Sequence, residues 1–396
     1  MNIFNSLGSN YDWGVTVKAL SLPNRKSFTD ELTFLLEKTY QGKVLLTTKG
    51  REAIEIALSA FPKDYAVGIT GYTCYAVYEA VVKSQHRPVF IDLDKNSLNF
   101  SVTELKTCIK NNPDLKIVIL QNTLGFPCEL LEIKKFCVEK DLILIEDLAH
   151  CVGTRYDNNQ QAGTVGQFTV LSFSQDKMID GITGGALINR GKYKINIEKK
   201  FSTQPAKNNL LNRIYPLLTY IIRSTYAFYF GKFLHAIARR LCLLSQPMTF
   251  ASIEYLILPP WHAALILNQF HSLDCNLQHR KIIAEIYLAE LPAEITHLVK
   301  RKDLQASSCL RFPILVPNRQ KLLDYLRTKG MYVSDTWYDA PIAPGKYLPK
   351  TTYQKGACPM AEKVSRLMVN LPTHQNISKN QARQLCKEIK TWLNLS

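Results

Sequence analysis

The sequence predicts an α/β protein built on a mostly parallel, helix-covered sheet, with a smaller C-terminal α+β unit. Three observations predict it. Apolar runs of strand length alternate with amphipathic segments between about residues 44 and 190. Those runs are near-continuous Val, Ile and Leu, as expected of strands buried on both faces, which is the condition of a parallel sheet with crossover helices. From about residue 300 the rhythm shortens and changes. With 396 residues, 46% of them hydrophobic and 10% aromatic, the chain suits one large and one smaller domain and has ample core. The expected division is 1–295, interrupted by an insert at about 199–250, and 300–396.

Taken in order, "REAIEIALSAF" (51–61) has helical spacing. "YAVGIT" (65–70) and "RPVFIDL" (87–93) are strand-like, with the helix-compatible "YAVYEAVVKS" (75–84) between them. "LKIVILQN" (115–122) reads as a strand, "ELLEIKKFCVEK" (129–140) as a helix and "LILIEDLA" (142–149) as a strand. "FTVLSFSQDKMIDGITGGALI" (168–188) is a strand, a polar turn holding Lys177, a glycine pair and a second apolar run. "WHAALILNQFHSLDCNLQHRKIIAEIYLAEL" (261–291) reads as one long helix. The C-terminal pattern is "CLRFPILV", "KLLDYLRTKG", "MYVSDTWY" and a final helix, "NQARQLCKEIKTWL".

In parallel sheets ligands sit beyond the carboxyl ends of the strands, so residues that follow strands carry most weight. At one such end stand Glu146 and Asp147, followed by His150. A carboxylate there is either a helix N-cap or the counter-ion of a cationic group. Ser172 lies five residues before Lys177, a hydroxyl and an amine on one turn. Gly50 and Arg51 open a helix, where backbone N–H groups favour an anion. An acid for a pyridine nitrogen, an amine for an aldehyde and a helix start for a phosphate together specify pyridoxal phosphate. The Gly184-Gly185 pair reads as tight backbone packing.

Formal net charge is +16, yet no nucleic-acid-binding signature accompanies it, and nucleic acid is not expected as a partner. The charge is uneven: from Lys199 to Ile253 there is no Asp or Glu, against eight Lys and Arg. Within 208–245, Arg213, Arg223, Lys232, Arg239 and Arg240 interrupt an aromatic, apolar stretch too early for a membrane span. Basic residues interleaved with Tyr, Phe and Leu suit a helix lying in a membrane interface, a dimer-interface pair or an active-site cover. The ten cysteines show neither a CxxC pair nor metal spacing and read as reduced thiols; no metal is expected. The opening "MNIFNSLGSNYDWG" has no basic region followed by an apolar run, so a cytoplasmic location is expected, peripheral at the inner face of the membrane if the insert binds lipid.

Several stretches resemble the DegT/StrS-type sugar aminotransferases, a branch of the fold-type-I pyridoxal-phosphate enzymes. They are "GREA" at 50–53, "YTCYAVYEAV" through "RPVFIDLD" at 72–94, "GFPCELLEI" at 125–133 and "IEDLAHCVG" at 145–153. "AGTVGQF" at 162–168, "SFSQDK" through the glycine pair at 172–185, and "GACPMAEKVSRLMVNLPTH" at 356–374 complete the set. The resemblance covers most of 44–190 and 255–375. It implies a seven-stranded sheet, a homodimer, and an amino donor, glutamate, that serves a keto sugar on a nucleotide carrier. Lys177 would join the cofactor's aldehyde and shuttle the substrate proton. Asp147 would keep the pyridine nitrogen protonated, and His150 would stand beside the ring. Ser172 and the backbone at Gly50 and Arg51 would hold the phosphate. Cys74 occupies the place where relatives stack an aromatic on the ring, with Tyr72 or Tyr75 as its substitute.

The chain departs from the family pattern in two places. Thr183 stands for the Glu of "GEGG", and "YLILPPWHAAL" (255–265) lacks the Asn-Tyr-Arg element whose Asn reaches the partner's phosphate. Alternatives are the related sugar dehydratases, in which His replaces the lysine, chemistry on a non-sugar or lipid-linked substrate, and a catalytically inactive membrane-associated relative. The intact Asp147, Ser172 and Lys177 set argues for catalysis.

Overall fold

The computed structural model describes residues 2–191, 193–197, 199–245, 254–333 and 337–395. Seven strands form one sheet: β1 (Lys43–Thr47), β2 (Ala66–Thr70), β3 (Arg87–Ile91), β4 (Leu115–Gln121), β5 (Ile143–Asp147), β6 (Phe168–Ser172) and β7 (Gly185–Asn189). Their order is β1-β7-β6-β5-β4-β2-β3. All neighbours are parallel except at β7, which runs antiparallel to both β1 and β6. Every residue of β2 and β6 is buried, because helices cover both faces.

Register aligns the strand ends. Gln121 pairs with Asp147 across β4 and β5, while Ser172 and Thr47 both pair with Gly185 of β7. The loops after β1, β4, β5 and β6 therefore meet along one edge. Helix α1 (Gly50–Leu58) starts there, its first turn closed by the Glu52 carboxylate, which accepts the N–H groups of Thr48 and Lys49 at 2.9 and 3.1 Å. Helix α2 (Tyr75–Lys83) also starts there, with Cys74 as its N-cap; Ala76 N–H lies 3.5 Å from the sulfur.

The insert folds as two helices, α3 (Ala206–Ser224) and α4 (Phe230–Arg240); its last residues, 246–250, lie outside the described ones. Two of its arginines turn inward. Arg213 donates to the carbonyls of Ala19 and Leu22 at 3.0 and 2.9 Å, where the helix Trp13–Ser21 ends and accumulates negative dipole charge. Arg223 donates to the Tyr11 carbonyl at 2.6 Å. No helix among the described residues is long and apolar enough to cross a membrane.

The stretch expected as one long helix is two, Pro260–His271 and Leu273–Glu290. They part at Ser272, whose φ of −100° and ψ of 5° leave the helical region. Its hydroxyl bonds back to the Asn268 carbonyl at 3.2 Å, a local bond that competes with the helical ladder. Beyond it, strands Arg311–Leu315 and Met368–Pro372 pair antiparallel and share a core with Tyr287, Phe312 and Trp392. The N-terminal strand Ile3–Phe4 pairs with Met331–Tyr332 and ties the chain's start to this C-terminal part.

Candidate active site

The strand ends enclose a cavity of about 300 Å³. Lys177, Asp147, His150, Ser172, Gly50, Arg51 and Cys74 all line it, so the structure brings these seven sequence-predicted residues to one place.

Two adjacent carboxylates at the end of β5 part company. Glu146 accepts the N–H groups of Gly163, Val165 and Gly166 at 2.7–2.8 Å and the Tyr156 hydroxyl at 3.1 Å, so it pins a turn. Asp147 accepts Ala149 N–H at 2.9 Å and faces the cavity. Burial raises its pKa, opposed by that N–H and by the Lys177 charge.

Lys177 sits on a turn that its neighbours hold tightly. The Asp180 carboxylate accepts the N–H groups of Asp176 (2.8 Å) and Ile182 (3.0 Å), the Tyr11 hydroxyl (2.5 Å) and the Asn10 amide (3.0 Å). Asn10 also donates to the Lys177 carbonyl at 3.2 Å, and Gln269 clasps the Asp180 backbone from both sides at 2.7 and 2.9 Å. Burial and the nearby Asp176 push the Asp180 carboxyl up to about 7. Burial lowers the Lys177 amine below the usual lysine range; Cys74, Asp147 and Asp176 pull it back, and Arg311 adds to the lowering. A depressed amine is the reactive form toward carbonyls.

His150 is neutral: burial first, then Lys177 and Arg311, depress it well below 6.5. Its Nδ1 accepts Leu124 N–H at 3.3 Å and faces the Tyr338 hydroxyl at 3.3 Å, so Nε2 carries the proton. Gln121, on the strand beside Asp147, donates to that hydroxyl at 3.1 Å and accepts from Thr73 at 2.7 Å. The aromatic lining comes from Trp337 and Tyr338. Trp337 stacks on His150 at 5.6 Å, and its ring lies 5.0 Å from Lys177 Nζ and 4.8 Å from the buried Arg311 guanidinium.

This placement corrects one expectation. Neither Tyr72 nor Tyr75 lines the cavity: Tyr72 packs against Tyr338 at 4.7 Å and Tyr75 stacks on Tyr347 at 4.8 Å. Trp337, Tyr338, Gln121 and Asp180 escaped the sequence reading. Only Asp180, within the Lys177 stretch, carried a usable signal, as a lone acid between Ile179 and Gly181.

The phosphate end is built by backbone. Gly50 lies so near Ser172 that a Cβ on it would sit 2.9 Å from the serine Cβ, which brings the start of α1 against the hydroxyl. Gly185 serves packing, as a Cβ there would meet the Lys49 carbonyl carbon at 2.7 Å. The Arg51 guanidinium turns away to the buried Glu79 carboxylate at 2.6 Å, so Arg51 offers the site its main chain. Thr183, the family's Glu, donates to the Thr48 carbonyl at 2.6 Å. An amine, a buried carboxylate, a neutral imidazole, and a hydroxyl beside a helix N-terminus fit pyridoxal phosphate.

The profile of the DegT/DnrJ/EryC1/StrS aminotransferase family matches residues 21–214 and 257–390. GDP-perosamine synthase of Vibrio cholerae is 24% identical over 356 residues, 88% of this chain and 85% of its own. An uncharacterized protein of Methanocaldococcus jannaschii is 26% identical over 354 residues, 87% of this chain and 83% of its own. Among solved structures, Escherichia coli GDP-4-keto-6-deoxy-D-mannose-3-dehydratase with bound hydrated pyridoxal phosphate superimposes with a TM-score of 0.70 at 18% identity, covering 98% of this chain and 99% of that one. That likeness shows a shared fold. With most of its length matched, the chain belongs to the DegT/DnrJ/EryC1/StrS family of aminotransferases, pyridoxal-phosphate-dependent enzymes of fold type I.

Proposed function

We propose that this protein transfers an amino group from glutamate to a keto deoxysugar on a nucleotide carrier, a step in making surface polysaccharide or a related glycoconjugate. The observation that carries the reading is the meeting of Lys177, Asp147, Ser172 and the α1 N-terminus in one cavity. The likeness to a GDP-perosamine synthase supports the substrate class.

Pyridoxal phosphate, when bound, supplies an aldehyde and an electron-withdrawing ring. Lys177 is the residue that would hold the aldehyde, and its Nζ would take and return the substrate proton, for which a lowered pKa suits it. Asp147 would hold a proton on the ring nitrogen. His150, with Nδ1 occupied, offers Nε2–H as a donor beside the ring. Ser172 Oγ and the main chain at Gly50 and Arg51 would bind the phosphate, and Trp337, Tyr338 and Cys74 line the same cavity. The division at about residue 295 and a homodimeric working unit belong to the same reading, supported by the family resemblance.

The insert supports peripheral contact with the inner face of a membrane. Arg213 and Arg223 are engaged inward, which narrows the contact face within 208–245 to about residues 226–243. There Phe228 (81% exposed), Tyr229, Phe230, Phe233 and Leu241 stand in solvent beside Lys232 and Arg240. A second copy of this acid-free face would meet it with like charge; an anionic lipid surface complements it.

The test of the main reading is spectroscopic. Purified protein is expected to carry the visible absorbance of a lysine-linked cofactor, fixed covalently by borohydride and bleached by glutamate. A Lys177→Ala protein that keeps the borohydride-fixable band would overturn it.

A further inference from the structure

A second cavity, of about 550 Å³, adjoins the first, and Gln175 and Asp176 line both. Its lining includes His235 and Arg239 from α4, the segment after that helix, and Lys346 and Tyr347 from the C-terminal part. The family profile matches up to residue 214 and again from 257, so the α4 wall lies outside the matched residues. We propose that this cavity is a subsite for the diphosphate through which the acceptor sugar is carried, held between Arg239 and Lys346. The proposal rests on the aminotransferase reading above and adds the site that reading lacks.

Size argues for it first. The 300 Å³ cavity has the cofactor and a sugar ring to hold, so the carrier needs further space. The second cavity, which shares Gln175 and Asp176 with the first, is the adjoining space. Register argues next. Gln175, two residues before Lys177, donates to the Ser245 carbonyl at 3.1 Å, which fixes the α4 segment relative to the amine.

Charge argues last. Arg239 and Lys346 are exposed cations that both line this cavity, and no Asp or Glu occurs in the sequence from Lys199 to Ile253. The one acid of the wall, Asp176, lies 3.9 Å from the buried Arg311, and Arg223 and Arg280 also act on it, so its charge is answered from behind. His235 is held neutral by burial and by Arg239 and adds a hydrogen-bonding group without charge. Two cations with five and three N–H donors lining one cavity suit a doubly anionic group better than a single carboxylate.

A diphosphate can belong to a nucleotide or to a lipid carrier, and titration calorimetry separates the two. UDP and GDP form one arm and geranyl diphosphate in mild detergent the other, each titrated into the intact cofactor-loaded protein and into protein without cofactor. At least one arm is expected to bind, with affinity lowered about tenfold by Arg239→Ala, by Lys346→Ala about equally, and more by both together. Binding in the nucleoside arm assigns a soluble carrier, and binding only in the geranyl arm assigns a lipid one; both support the subsite. No binding in either arm, or binding that the double variant leaves unchanged, overturns it. The cofactor's visible band serves as the fold control in each variant. Because the titration also runs without cofactor, failure of the aminotransferase reading and failure of the subsite give different results.

Discussion

At the residue scale, function rests on which of several similar groups the fold turns toward the cavity. Glu146 and Asp147 are neighbours and alike in sequence, yet one closes a turn and the other faces the site. Sequence alone cannot separate them, because the donors that engage Glu146 lie 17 to 20 residues further on, in a loop without regular structure. Ser172 and Lys177 were legible because they stand at and beyond the end of a strand that reads clearly, and Gly50 because it opens a helical pattern. Trp337 and Tyr338 were not, since they arrive from a distant segment with no pattern of its own. Asp180 is the residue whose loss should be felt most. Asp180→Ala leaves four donors, from Asn10, Tyr11, Asp176 and Ile182, without their acceptor, a cost of at least about 3 kcal/mol. A lower urea midpoint, together with weaker cofactor retention in dialysis, is the expected result. Asp180→Asn, which keeps part of the acceptor set, is expected to fall between it and the native protein.

At the element scale, the strands and helices read from apolar periodicity within 50–190 have ends within a few residues of expectation, while the helix Val102–Asn111 went unread. The break at Ser272 was invisible because apolar spacing runs through it and neither Gly nor Pro marks it. The helix Pro260–His271 carries a testable charge effect. His262 is wholly buried, donates from Nδ1 to the Gly181 carbonyl at 2.8 Å, and is pushed down to about 3 by burial. Unfolded, it titrates near ~6.5. Below that pH the unfolded chain takes up a proton the folded one refuses, so this contribution to stability is present above ~6.5 and lost as pH falls toward 3, at up to about 1.4 kcal/mol per pH unit. Asp180, with its raised pKa, contributes in the opposite sense, so the comparison is with His262→Gln. That variant keeps a donor but cannot titrate. Urea midpoints of the native protein are expected to drop more steeply than the variant's between pH 6.5 and 4; parallel curves would contradict this.

At the scale of the whole molecule, the two inward arginines show why a sequence stretch misleads about its own surface. Arg213 and Arg223 look like interruptions in an apolar helix, but they bind carbonyls near the chain's start and leave the aromatic cap to α4. Phe228→Ser with Phe233→Ser removes two exposed rings without touching the core. Co-sedimentation of the intact protein with phosphatidylglycerol vesicles is expected to fall by on the order of tenfold or more in that variant. It should also weaken for native protein as salt rises. Equal partition of both proteins would remove the membrane from the reading.

The grip of Asn10 on the Lys177 turn spans 167 positions of chain. Readiness for chemistry and integrity of the scaffold are therefore separable events. Were the first dozen residues to peel away on warming, the amine would lose its posture while every strand of the seven-stranded sheet stayed paired. Enzyme activity in a heated sample would vanish ahead of any change in circular dichroism.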